Sequence, residues 1–182
     1  MNRTAKLMLA AVVAALLAGV APAEPVRFPW SFDMTPDQVR SVAEARPYRN
    51  FPNGDLETYN GMYDGRKENF QFFFKDQKLW RIGIYLYEGP DPKVAAQKWV
   101  ELHKSLESKF GAIETPNNKF ADGKEGRQAF SETAISIATK PGKAQMAPIK
   151  QPNDAFVFAS FYGHDFQGQR IYQVTLYLSK RT

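Results

Sequence analysis

The chain has 182 residues, no cysteine, 14% aromatic residues and a formal net charge of +5. Without cysteine, neither a disulfide framework nor a thiolate metal site can form, so the fold must be stabilised by packing alone. The 24 basic and 19 acidic side chains are interspersed, which predicts an ordinary solvated surface and excludes a nucleic-acid partner.

The N-terminal segment is typical of a cleavable signal peptide. Arg3 and Lys6 precede an unbroken apolar run over residues 7–20, and the small-residue site Ala21-Pro22-Ala23 follows. The run is shorter than the roughly 20 residues that a helix needs to cross a bilayer. An uncleaved anchor is the alternative, but we predict a signal peptide over residues 1–23.

The expected mature protein, residues 24–182, is a single domain that is periplasmic or secreted. A bacterial lipoprotein signal would carry its lipidated cysteine at the position of Val20, so no lipid anchor is expected. No later apolar stretch is long enough to span a bilayer, and we predict no integral membrane segment after cleavage.

The first predicted helix covers residues 36–46. Thr35 is a suitable N-cap, Pro36 suits the first helical position, and Gln38 stands where a capping box has its second member. Pro47 ends the helix, because the residue before a proline avoids the α region.

Residues 56–87 predict a meander of three strands, with turns at Asp64-Gly65 and Asp76-Gln77-Lys78. The third strand alternates, which predicts one face toward the core and one away from it. The core-facing residues would be Trp80, Ile82, Ile84 and Leu86, and the opposite residues Arg81, Gly83, Tyr85 and Tyr87.

A second helix is predicted from Pro92 to Phe110, with Asp91 as N-cap and Gly111 as C-cap. Its apolar residues recur at the spacing of a helix that lies on a sheet. They are Ala95, Trp99, Leu102, Leu106 and Phe110. The remaining predicted elements are a strand near 128–139, a loop over 140–153, and strands at 155–162 and 170–179.

The order of these elements, helix and three strands followed by helix and three strands, indicates an internal duplication. The last strands of the two halves, 80–86 and 172–178, align at an offset of 92. The strands before them align at an offset of 86, with Phe70 and Phe72 against Phe156 and Phe158. Chance similarity between amphipathic strands is the alternative.

We therefore predict an α+β fold of two tandem αβββ repeats, about residues 30–88 and 89–182. The repeats would form one antiparallel sheet that is packed on one side by helices.

The segment Phe32 to Val39, followed by a short helix and a meander, resembles the opening of small exported α+β modules. These include the beta-lactamase inhibitory proteins, which have two tandem repeats, and the SmpA-type outer-membrane assembly lipoproteins. The chain lacks the cysteines of the former and the lipidated cysteine of the latter. The resemblance implies a fold and transfers no functional residue.

No catalytic constellation is recognised in the sequence. Nucleophilic hydrolases need a serine or cysteine close to a base, but cysteine is absent and only two histidines occur. His103 is expected on the solvated face of the second helix. His164-Asp165 is expected in a turn, without companion ligands at a metal-site spacing. We predict no catalytic residue, no metal site and no cofactor.

The second face of the predicted strands is rich in residue types that supply binding energy at protein interfaces. The candidate interface residues are Phe73, Arg81, Tyr85, Tyr87, Gln173, Thr175 and Tyr177. If helices or the loop at 140–153 cover this face, its aromatic side chains form a second core layer instead.

The preferred hypothesis is an exported, non-enzymatic module that binds a protein partner in the cell envelope, as an inhibitor, an assembly factor or an accessory subunit. One alternative is an enzyme acting on envelope carbohydrate through carboxylates such as Asp55 with Glu57, or Glu114 with Asp122. Another is a carrier that encloses a small apolar ligand between the second helix and the sheet.

The signal peptide makes a direct prediction. Mass spectrometry of the protein isolated from the native envelope should find Glu24 as the N-terminal residue, because cleavage follows Ala-x-Ala. An intact Met1 or an acylated N-terminus would contradict it.

Overall fold

The computed structural model describes residues 28–140 and 142–181. The predicted signal peptide and its cleavage site lie outside the described residues. The helices are α1 (Pro36–Arg40), α2 (Pro92–Phe110) and α3 (Gly123–Thr139), with a 3-10 turn at Ala43–Ala45. The strands are β1 (Arg49–Asn50), β2 (Leu56–Tyr63), β3 (Arg66–Lys75), β4 (Lys78–Gly89), β5 (Ile113–Glu114), β6 (Lys143–Pro148), β7 (Ala155–Phe166) and β8 (Gln169–Lys180).

The strands form a single antiparallel sheet in the order β1-β2-β3-β4-β8-β7-β6-β5. The α+β class is therefore confirmed. The meander β2-β3-β4 and its two turns are also as predicted. Strands β6, β7 and β8 form a second meander, and the pairing of β4 with β8 joins the two. Of the helices in the described part of the chain, none has the length and apolar character needed to cross a membrane.

The central strands β4 and β8 set which residues of the sheet are buried. Ile82 pairs with Leu178 and Ile84 with Leu176, and all four side chains are buried. On the same face, Phe161 of β7 pairs with the buried Val174. Helix α2 reaches this face through Trp99, whose ring lies 6.1 Å from that of Phe161 and 6.2 Å from that of Phe130 on α3.

The segment before α1 completes the core over the first meander. The Trp30 ring lies 5.2 Å from Phe70 and 4.7 Å from Phe72, and its indole N–H donates to the Tyr48 hydroxyl at 3.2 Å. The backbone N–H of Leu79 donates to the Met34 carbonyl at 2.8 Å. Trp30 is therefore part of the hydrophobic core.

The helix predicted over 36–46 is shorter than expected. Its capping box between Thr35 and Gln38 is present, but α1 ends at Arg40. Val42 adopts an extended conformation, and a 3-10 turn follows. The carbonyl of Ala45 in that turn accepts the hydroxyl of the buried Thr58, so tertiary contact with β2 replaces the last helical turn.

Helix α2 has the predicted bounds and caps. The Asp91 carboxylate accepts the N–H groups of Lys93 and Val94 at 2.8 and 3.3 Å, and Gly111 ends the helix at a φ of 77°. This positive φ is readily adopted by glycine, which lacks the Cβ that would clash.

Two predictions for the second half were wrong. The region near 128–139 is helix α3 and not a strand, because Phe130, Ala134 and Ala138 are buried at helical spacing. The segment 140–153 is not simply a loop, because it contains β6. The β-branched residues of α3 favour a strand locally, and packing against α2 overrides that propensity.

The alignment at an offset of 86 was also wrong. Phe70 and Phe72 are fully buried on the core face of β3. Phe156 and Phe158 lie on the opposite face of β7, where they pair with Ser179 and Tyr177, and Phe156 is 46% exposed. The core residues of β7 are Ala155, Val157, Ala159 and Phe161.

Candidate interface on the sheet

A β-bulge near the start of β4 decides the position of Trp80. Phe73 pairs with Arg81 but Phe74 pairs with Leu79, so Trp80 is the extra residue. Leu79 is fully buried in the core position that the alternation assigned to Trp80, so that prediction was wrong. Trp80 is half-buried, and its ring lies against the Arg81 guanidinium.

The Arg81 side chain is held among aromatic rings. Its guanidinium carbon lies 4.2 Å from the centroid of Trp80, 5.7 Å from that of Phe158 and 5.6 Å from that of Tyr177. Its Nε donates to the Ser179 hydroxyl at 2.9 Å. Stacking and a hydrogen bond together fix the plane of the guanidinium.

Gly83 makes room for the ring of Tyr177 and for two further rings, those of Phe73 and Tyr85. A Cβ at this position would lie 3.2 Å from the rings of Phe73 and Tyr177 and 3.3 Å from that of Tyr85. The absent side chain therefore lets the aromatic residues of β3, β4 and β8 converge. We use the term aromatic surface for Phe73, Trp80, Arg81, Tyr85, Phe156, Phe158 and Tyr177.

Phe156 and Phe158 extend this surface onto β7. Their rings lie 5.7 Å apart, and Phe158 stacks on Tyr177 at 5.0 Å with an angle of 22° between planes. Neither residue was among the candidate interface residues predicted from the sequence. Alternation along β7 places Phe156 and Phe158 on one face. Because both faces of β7 are apolar, the pattern does not say which face is turned toward the core.

Tyr87 does not belong to the aromatic surface. Tyr85 pairs with Thr175 but Tyr87 pairs with Val174, so a second bulge at Leu86 changes the side on which the following residues lie. Tyr87 packs against the core, and its hydroxyl accepts the backbone N–H of Asp91 at 3.0 Å. It joins β4 to the start of α2 and lies apart from the other candidates.

Gln173 and Thr175 are buried, and they pair across the sheet with Tyr162 and Tyr85 respectively. Gln173 is 8% exposed and donates to the Glu88 carboxylate at 2.8 Å, and Thr175 is fully buried. Burial is the main cause that raises the pKa of Tyr85 and of Tyr162 above the ordinary tyrosine value. These tyrosines are therefore neutral, and their half-buried rings present an uncharged face.

The two histidines are not where the sequence predicted them. His103 is 3% exposed and not solvated, because Phe120 stacks on its imidazole at 3.9 Å and Phe130 lies edge-on at 5.6 Å. His164 and Asp165 lie within β7 and not in a turn. Within residues 28–140 and 142–181, no group of three His, Asp or Glu side chains is arranged to hold a metal ion.

Two carboxylates of the carbohydrate hypothesis, Asp55 and Glu57, form hydrogen bonds within the fold. Asp55 accepts the backbone N–H of Phe74 at 3.0 Å. Glu57 is buried and accepts the side-chain amides of Asn69 and Gln71 at 2.9 and 3.3 Å. Asp122 occupies the N-cap position of α3, but its carboxylate makes no capping hydrogen bond. Structural hydrogen bonds are therefore shown for Asp55 and Glu57.

A largely apolar cavity of about 320 Å³, with Ser31 and Asp154 in its lining, lies between the N-terminal segment, the end of α2 and the core face of the sheet. Its apolar lining includes Phe28, Trp30, Ile82, Phe110, Val157 and Leu178. This volume is at the lower limit of ordinary small-molecule pockets.

Comparison of the chain with protein-family models, with curated proteins and with solved structures gave no match.

The burial of His103 predicts a pH dependence of stability. Burial lowers the pKa of His103, against the opposing effect of Glu107 and Asp122. The unfolded chain, with a histidine pKa near 6.5, therefore binds more protons than the folded protein in the window below that value. The contribution of neutral His103 to the unfolding free energy is complete above about pH 7. It decreases as the pH falls toward the folded-state pKa, by at most about 1.4 kcal/mol per pH unit for one proton.

Urea unfolding of the protein and of His103→Phe between pH 8 and pH 5 measures this effect. The variant keeps an aromatic ring against Phe120 but cannot be protonated. The difference in unfolding free energy between the two proteins should change in favour of the variant as the pH falls. A difference that stays constant would contradict the prediction.

Proposed function

We propose that this protein is an exported, non-enzymatic module that binds a protein partner in the cell envelope through its aromatic surface. The observation that carries the proposal is the contact of Arg81 with the rings of Trp80, Phe158 and Tyr177 on a face that includes the exposed Phe156. Tryptophan, tyrosine and arginine are the residue types most enriched among interface hot spots.

The proposal requires that the helices cover only the other side of the sheet. This is supported by the contact of α2 with the sheet through Trp99 and Phe161, on the core face. The segment 140–153, which could have covered the aromatic surface, contributes β6 to the sheet instead. The aromatic residues are half-buried by one another, as expected for an interface cluster.

We also infer that the two meanders derive from one duplicated unit. The sheet order β2-β3-β4-β8-β7-β6 is symmetric about the contact between β4 and β8, which supports this inference. The resemblance to the beta-lactamase inhibitory proteins and the SmpA-type lipoproteins also stays a proposal.

The periplasmic or secreted location stays a proposal as well, and the N-terminal sequence supports it.

A second candidate function is that of a carrier for a small apolar ligand. It is favoured by the cavity beneath the N-terminal segment, which lies between α2 and the sheet. A compact neutral molecule would fit the volume and the apolar lining. This function would not use the aromatic surface, so the two candidates can be tested separately.

The interface makes a prediction that requires both binding and stability measurements. Tyr85→Ala and Arg81→Ala should each weaken capture of the partner from envelope extract by about 2 kcal/mol or more, roughly thirtyfold. Tyr59→Ala is the matched control, because Tyr59 is 51% exposed and outside the aromatic surface. Capture that depends on Tyr85 and Arg81, and not on Tyr59, is the supporting result.

Thermal unfolding of the same variants distinguishes an interface from a core. Complete burial of Tyr85 would make its truncation cost roughly 3 kcal/mol or more of stability. A markedly lowered melting temperature for Tyr85→Ala would show that this side chain serves the core, and the interface proposal would be wrong.

The carrier candidate predicts saturable binding of 1-aminoanthracene, with quenching of Trp30 fluorescence. Ala155 lines the cavity and is 4% exposed, so Ala155→Leu should fill part of the volume and abolish binding. Ile149→Ala, at a 66% exposed position outside the lining, should bind the dye unchanged. Equal binding by all three proteins would eliminate this candidate.

A further inference from the structure

The Arg81 guanidinium has no ion-pair partner in the described part of the chain. No carboxylate among residues 28–140 and 142–181 forms an ion pair with it, whereas Arg40, Arg66 and Arg170 each have one. Its only hydrogen bond within those ranges uses Nε, toward Ser179. Both terminal Nη groups, with four N–H donors, are left for another acceptor.

The immediate neighbours of Arg81 are all neutral. Phe73 and Ser179 pair with it directly, and the rings of Trp80, Phe158 and Tyr177 surround its plane. Arg81 is itself half-buried. Among the described residues, the positive charge of Arg81 therefore has no anionic partner, and it lies among aromatic rings that partly exclude water.

This arrangement constrains any partner that covers the aromatic surface. Covering the rings removes water from the guanidinium, and a buried charge that is not paired is strongly unfavourable. A partner must therefore supply an acceptor with negative charge at the Nη groups. A guanidinium binds a carboxylate through two parallel hydrogen bonds, and the bond from Nε to Ser179 leaves both Nη groups as donors for that geometry.

We propose that Arg81 is the recognition site for an Asp or Glu side chain of the protein partner, flanked in that partner by an apolar residue that packs on Phe156 and Phe158. This inference rests on the proposed function and specifies the chemistry of the partner. A protein carboxylate fits better than a free phosphate, because the rings around Arg81 need apolar cover that a hydrated phosphate does not provide.

Selection of random displayed peptides with blocked C-termini, using the full-length mature protein as target, tests the inference. The enriched peptides should carry an Asp or Glu next to an apolar residue. Arg81→Gln should weaken their binding about thirtyfold or more, the usual effect of removing one member of a desolvated charge pair. Arg81→Lys should restore binding only in part, because lysine keeps the charge but lacks the planar fork.

Arg49→Gln is the matched control. Arg49 also lies over an aromatic ring, with its guanidinium carbon 5.2 Å from the centroid of Tyr59, but it is exposed and outside the aromatic surface. This variant should bind the enriched peptides normally. Replacing the acidic residue of a peptide by Asn or Gln should cause the same loss as Arg81→Gln, and the two losses should not add.

The outcomes separate this inference from the proposed function. Peptides that lose binding with Phe158→Ala but not with Arg81→Gln would refute the carboxylate site and leave the interface intact. Peptides insensitive to both substitutions would refute the interface as well. Displacement of the peptides by inorganic phosphate, but not by acetate at equal concentration, would identify a phosphate site and overturn the inference.

Discussion

The antiparallel ladder between β4 and β8 is the constraint on which the rest of the structure depends. It joins the two meanders, and its register places Ile84 against Leu176 in the core and Arg81 against Ser179 on the other face. A slip of one residue would reverse the faces of a strand and expose its apolar set. The hydrophobic core and the aromatic surface are therefore set by one register.

Two bulges in β4 modify this pattern. The bulge at Trp80 brings its ring beside Arg81 while Leu79 takes the core position, and the bulge at Leu86 moves Tyr87 toward the start of α2. Between them, the stretch from Arg81 to Tyr85 remains regular and presents alternate residues to the surface. The aromatic surface is centred on this regular stretch, and the bulges limit its extent along β4.

The core and the surface contribute differently to the molecule. The core is closed by Trp30 over the first meander and by α2 and α3 over the second, through fully buried aromatic side chains such as Trp99 and Phe130. In a chain without cysteine this packing accounts for the stability of the fold. The aromatic surface contains half-buried rings around Arg81, which has no ion-pair partner among the described residues, and this combination is the basis of the proposed binding function.

The sequence by itself determined the elements whose signals are local. The caps of α2, the turns of the first meander and the alternation of β8 and of residues 81–85 of β4 each depend on residues within a few positions of one another, and all are present in the structure. The export signal is equally local, but it lies outside the described residues and remains a prediction. Among the candidate residues, Arg81 and Tyr85 lie on the regular part of β4, and Phe73 and Tyr177 lie on the neighbouring strands β3 and β8. Simple alternation along the three strands places these four residues on the same face.

Only the tertiary structure decided the rest. Arg81 and Ser179 are 98 residues apart, and no local pattern records their contact or the bulge beside it. The same holds for α3, where burial of Phe130 and Ala134 against α2 outweighs the local preference for a strand. It holds for Phe156 and Phe158 as well, because β7 is apolar on both faces and only pairing with β8 assigns them to the surface. Each of these choices depends on contacts between residues distant in sequence, and their energies are absent from any short window of the chain.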